Sequence, residues 1–190
     1  MKTTFLKLST LSALFLAPTL AFAHPDHEST AFSSGLLHPV TGVDHLIMLL
    51  AFGLLVGCLS ATKMQKVGLI IGALVMLIVG LLVGSSFGLA TGVETAIIAS
   101  LFVVSAAIWH AFSASQKMGK LAVGLCIGMM FFHGYAHGVE AEGTLGQFSM
   151  GMAIGASALM MLGAQVGSRV ASRWMSVGVA AVSSLFLMAA

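Results

Sequence analysis

Long apolar runs, each near the length of a bilayer crossing and broken only by short polar connections, dominate this 190-residue chain. A helix needs roughly 20 apolar residues to cross the hydrocarbon core. Six runs approach that length, near 37–60, 67–90, 93–114, 121–140, 145–167 and 173–190, the last being the shortest. They are too long for strands and lack period-two alternation. In lipid every backbone polar group needs an internal partner, which a helix supplies. The expected fold is therefore an all-α membrane protein, a six-transmembrane-helix bundle. Charged residues make up only 7% of the chain, against roughly 25% in a soluble domain. No basic stripe is present, so nucleic acid is not an expected partner.

The first 23 residues read differently. Lys2 and Lys7 precede a short apolar stretch, Leu8 to Leu16, and Ala21-Phe22-Ala23 has the small-x-small pattern of a cleavage site. This is the layout of a secretory signal peptide, 1–23. A His-containing N-terminal segment, 24–36, would follow outside the cytoplasm, and a transmembrane domain would fill 37–190. The remaining basic residues sit in alternate connections: Lys63 and Lys66, Lys117 and Lys120, Arg169 and Arg173. The positive-inside rule puts those connections in the cytoplasm and both termini in the periplasm. Trp109 and Trp174 fall at the inner boundary, where indole rings are favoured. The expected location is the bacterial inner membrane, with multiple passes.

Glycines four apart (53/57, 68/72, 80/84, 124/128, 151/155 and 163/167) suit close helix packing. Ionisable side chains inside the membrane are costly and point to function. They gather in two segments. In the first, His38-Pro39-Val40-Thr41-Gly42-Val43-Asp44-His45, Pro39 suits a first helical position. His38 and His45, nearly two turns apart, would share a face. Asp44 could ligate a metal itself or fix the tautomer of a liganding imidazole. In the second, Phe132-His133-Gly134-Tyr135-Ala136-His137-Gly138-Val139-Glu140, His133, His137 and Glu140 lie within roughly 60° around one helix. Two imidazoles and a carboxylate suit a borderline divalent cation. Met130, Met129 and Cys126 continue the stripe inward, as soft ligands along a path or as packing. His24 and His27 are either a tail or a metal-capturing end. His110 reads as an interfacial residue or an exit-side ligand, Glu94 as a helix-terminal carboxylate or a ligand, and Cys58 as packing.

The two segments resemble the HupE/UreJ proteins, bacterial membrane permeases associated with nickel supply to hydrogenase and urease. The family patterns H-P-x-x-G-x-D-H and F-H-G-x-A/V-H-G-x-E occur as HPVTGVDH at 38–45 and FHGYAHGVE at 132–140. The resemblance implies that His38, Asp44, His45, His133, His137 and Glu140 handle the metal. It implies Ni²⁺ as transported substrate, or Co²⁺, with no resident cofactor and no enzymatic reaction. The residues alone leave an alternative, an intramembrane zinc-dependent hydrolase, although Gly134 stands where an H-E-x-x-H motif has its general base and Glu140 or Asp44 would have to substitute. Energy coupling, nickel against cobalt, and a homo-oligomer are left open.

Overall fold

The computed structural model describes residues 27–112, 116–141 and 144–189. The expected signal peptide 1–23 and His24 lie outside them, as does the side chain of His27. The described residues form seven helices: α1 (His27–Thr41), α2 (Val43–Cys58), α3 (Lys63–Phe87), α4 (Val93–Ala111), α5 (Gln116–Glu140), α6 (Leu145–Val170) and α7 (Trp174–Ala189). Four of them, α3 to α6, are long and apolar enough to cross a membrane, and α1 with α2 makes a fifth span if the bent pair is counted as one. At 16 residues α7 is shorter.

The first span departs from the continuous helix expected over 37–60. Residues 27–36 are already helical, and the helix breaks at Gly42 with a 76° bend between Ala31–Thr41 and Val43–Cys58. Pro39 lies inside α1 rather than at a helix start. It has no N–H to offer, which weakens the last turn of α1. Thr41 donates its hydroxyl to the His38 carbonyl at 3.0 Å. Gly42 then takes an extended conformation (φ −80°, ψ 110°) as N-cap of α2. His38 and His45 therefore do not share one helical face.

The surface is apolar and the interior is partly polar, the reverse of a soluble protein. On α3, Ile71, Val75, Val79 and Leu82 are exposed at turn spacing, as a lipid-facing stripe requires. His45, His133, His137, Ser100, Ser105, Ser176 and Ser183 are buried. Capping is orderly: Thr62 and Gln65 form a reciprocal capping box at the start of α3, and Lys66 donates from Nζ to the Gly57 carbonyl at the end of α2, at 2.8 Å.

Glycine decides which helices touch closely. α3 lies along α5, and α1 and α2 lie along α6. A Cβ at Gly80 or Gly84 would overlap the carbonyl of Phe131 or Tyr135, and one at Gly134 or Gly138 would overlap that of Leu77 or Leu81. Gly53 and Gly57 face Gly163 and Gly167 in the same manner, and Gly35 packs on Phe148 next to Gly151. Two of the expected pairs behave otherwise. Gly68, Gly124 and Gly128 have nothing within 4 Å of an added Cβ, and Gly72 has only Ile127 at 3.9 Å. The α3–α5 pair is thus tight at one end and splayed at the other. The splayed end opens into a cavity of about 820 Å³ lined by Ser60, Gln65, Gly68, His110, Lys120 and Gly124, among others.

Candidate metal centre

The site lies at the tight end. Asp44 is in the first turn of α2, Glu94 in the first turn of α4, and His137 and Glu140 in the last turn of α5. On α5, Val123, Cys126, Met130, His133 and His137 are buried and spaced three and four apart, so one stripe faces the interior. Its glycine neighbours Gly134 and Gly138 press on α3. Each motif glycine therefore holds α5 against α3 while the adjacent histidine turns inward. Tyr135, in the same motif, donates from Oη to the Gly88 carbonyl at 2.7 Å and ties α5 to the turn after α3. That turn uses positive φ at Gly88 (70°) and Gly92 (91°), which only glycine adopts freely.

Four imidazoles from α1, α2 and α5 converge. Ring centroids are 4.4 Å apart for His38 and His137, 4.0 Å for His45 and His137, and 4.7 Å for His45 and His133. His38 and His45 are 6.5 Å apart. On an unbroken helix seven residues would separate them by about 10 Å along the axis, so the bend at Gly42 is what joins them. His38 Nε2 lies 3.4 Å from Glu140 Oε2. One ligand atom each from His38, His137 and Glu140 fall within 4.8 Å of one another. Phe148 of α6 packs edge-on against His38 at 5.6 Å.

Asp44 contacts His45, Oδ1 to Nδ1, at 2.9 Å. Of the two roles open to it, this is the geometry of orienting the imidazole. Gly42 makes room for the pair, because a Cβ there would come within 2.9 Å of His45 Nδ1 and 3.3 Å of Asp44 Oδ1. Among the described residues, three imidazole nitrogens are buried without a hydrogen-bond partner: His45 Nε2, His133 Nδ1 and His137 Nδ1. A buried polar atom without a partner costs about 1–3 kcal/mol. A dication with vacant coordination positions would satisfy such lone pairs.

Other candidates fall elsewhere. Cys126 and Met130 are buried in the apolar core and Met129 packs against it, between the imidazoles and the wide cavity. His110 is in the wall of that cavity. Glu94 is exposed. Cys58 donates from Sγ to the Gly167 carbonyl at 3.6 Å. Sequence reasoning missed Ser100 of α4, whose Oγ lies 2.8 Å from His133 Nε2. It also missed Gln147, whose amide oxygen is buried and unpartnered. Neither stands in a recognisable motif. A serine on an apolar helix was the available signal, and Ser105 gives the same signal while bonding the Ser176 carbonyl at 2.7 Å instead.

Long apolar helices around buried histidines with carboxylates at their edge define a multi-pass helical membrane protein with a candidate metal site. Residues 12–189 match the family described as HupE / UreJ protein. The chain belongs to that family. It is 27% identical over 135 residues to protein HupE of Rhizobium leguminosarum bv. viciae, covering 70% of this chain and 68% of that protein. No solved structure matches the chain.

Proposed function

We propose that this protein is an inner-membrane permease that admits Ni²⁺, or Co²⁺, from the periplasm for metalloenzyme maturation. The observation that carries this reading is the convergence of His38, His45, His133 and His137 with Glu140, three of their nitrogens buried and unpartnered. Imidazole with a carboxylate suits a borderline dication better than Mg²⁺ or Ca²⁺. A permeation site must bind well enough to strip water and weakly enough to release, and mixed N/O ligands suit this better than a closed thiolate cage. The basic residues Lys66, Lys120 and Arg173 stand at the other end from Glu140. By the positive-inside rule, the histidine cluster then faces the periplasm and the wide cavity faces the cytoplasm. An ion leaving the cluster would pass Met130 and Cys126 to reach it. For the hydrolase alternative, position 134 is pressed on the Leu77 carbonyl, so Glu140 or Asp44 would have to serve as general base.

The test is Ni²⁺ uptake into proteoliposomes with competing divalent cations, with and without a pH gradient. His45→Ala and His133→Ala each abolish uptake while leaving membrane insertion intact. Unaltered uptake by both variants overturns the reading.

A further inference from the structure

The four imidazoles form a ladder rather than a single cage. The order His38, His137, His45, His133 has successive centroid distances of 4.4, 4.0 and 4.7 Å. Its ends differ in burial. Glu140 beside His38 has a side chain 61% exposed, whereas His133 is 1% exposed. The outer end has a compact ligand set in His38, His137 and Glu140. The inner end has two unpartnered nitrogens, His45 Nε2 and His133 Nδ1.

Hydrogen-bond direction explains why those two nitrogens are bare. Ser100 Oγ has one proton, and its 2.6 Å contact to the Ile97 carbonyl uses it. With that proton on the Ile97 carbonyl, the serine oxygen would accept and Nε2–H would donate in the 2.8 Å contact with His133, whose direction depends on the tautomer. A neutral imidazole that donates from Nε2 carries its lone pair on Nδ1. At His45 the assignment is mirrored: Nδ1–H donates to Asp44 Oδ1, which leaves the lone pair on Nε2. The partner of a liganding imidazole selects its metal-binding nitrogen in this way.

We propose that Ser100 is a positioning residue that holds His133 in the Nε2–H tautomer, so that His133 Nδ1 and His45 Nε2 form an inner seat receiving the ion from the outer His38–His137–Glu140 seat. This rests on the permease reading. The outer seat has a carboxylate and captures a hydrated dication. The inner seat offers nitrogen alone, so hard cations such as Mg²⁺ stop at the outer seat. Ser100 touches His133 and not the ion, so its removal slows passage more than capture.

The experiment uses the full chain in proteoliposomes, comparing Ser100→Ala with Glu140→Gln. Ser100→Ala lowers Vmax for Ni²⁺ uptake about 10-fold and leaves KM within about twofold, while Glu140→Gln raises KM. ¹⁵N NMR of the histidine-labelled unaltered protein shows His133 protonated at Nε2, and Ser100→Ala loses that signature. A proton on Nδ1 of His133 in the unaltered protein overturns the proposal without any variant. A native Vmax in Ser100→Ala overturns it too, while unaltered protein that still carries Ni²⁺ leaves the permease reading standing. Unaltered protein that admits no Ni²⁺ removes both.

Discussion

Asp44 has a short carboxylate on the first turn of α2 and sits against the next residue's ring rather than across the site. Asparagine keeps an acceptor oxygen at the same place and loses the charge. Asp44→Asn is therefore expected to weaken Ni²⁺ binding about 10-fold, the scale seen for partners of liganding histidines. Isothermal titration of purified protein checks this, and unchanged affinity and flux would refute both the liganding and the orienting role. Gly42 acts on the same pair from behind. The Cβ of Gly42→Ala would crowd His45 Nδ1, so that variant should lose uptake while remaining inserted, as transport assays with a membrane-fraction control would register.

At the scale of helices, the motif glycines and the motif histidines are one device. Gly134 and Gly138 let α5 touch the carbonyls of Leu77 and Leu81 on α3. That contact sets the rotation of α5 and so the aim of His133 and His137. Adding a methyl to such a contact costs about 1–3 kcal/mol, more where backbone faces backbone. Gly134→Ala is thus expected to lower the melting temperature in detergent, whereas Gly128→Ala, with open space around it, should leave it unchanged or raise it. Equal effects of the two would show that close approach on α3 is not what the glycine provides. Helix α2 shows the same economy: Gly53 and Gly57 bring it onto α6, and Lys66 closes its last turn.

For the whole molecule, the arrangement separates two ends of different character. One holds Glu140 and the imidazole ladder. The other holds the wide cavity, Lys120, and Arg173 with its guanidinium 5.3 Å from the ring of Trp109 and 5.7 Å from that of Trp174. An impermeant thiol reagent applied to intact cells should label Leu89→Cys and spare Ser60→Cys, in a background lacking Cys58 and Cys126; the reverse pattern would invert the proposed orientation. Ligand binding should also be visible globally. An ion that binds only the folded protein adds about 2.7 kcal/mol of stability at 100 times its Kd. Ni²⁺ should accordingly raise the melting temperature more than Mg²⁺ does, and a chelator should return it.

Several of these features were legible in the residues alone. Apolar run length identifies helices in lipid, because a crossing demands both length and internal hydrogen bonding. The spacing of His133, His137 and Glu140 puts them on one stripe, because α5 is regular there. Spacing failed where the chain stops being regular. His38 and His45 come together through a break at Gly42, not along a shared face. Composition flagged glycine pairs equally, yet only a partner helix at the right height makes such a pair tight, as at Gly80 and Gly84, or leaves it open, as at Gly124 and Gly128. The sequence by itself determined the apolar, all-helical character of the chain and its candidate donor atoms, which depend on local chemistry, but not the break at Gly42. Tertiary structure alone decided which imidazoles meet and set Ser100 against His133, because those neighbours lie on other helices, distant along the chain and adjacent only once packed.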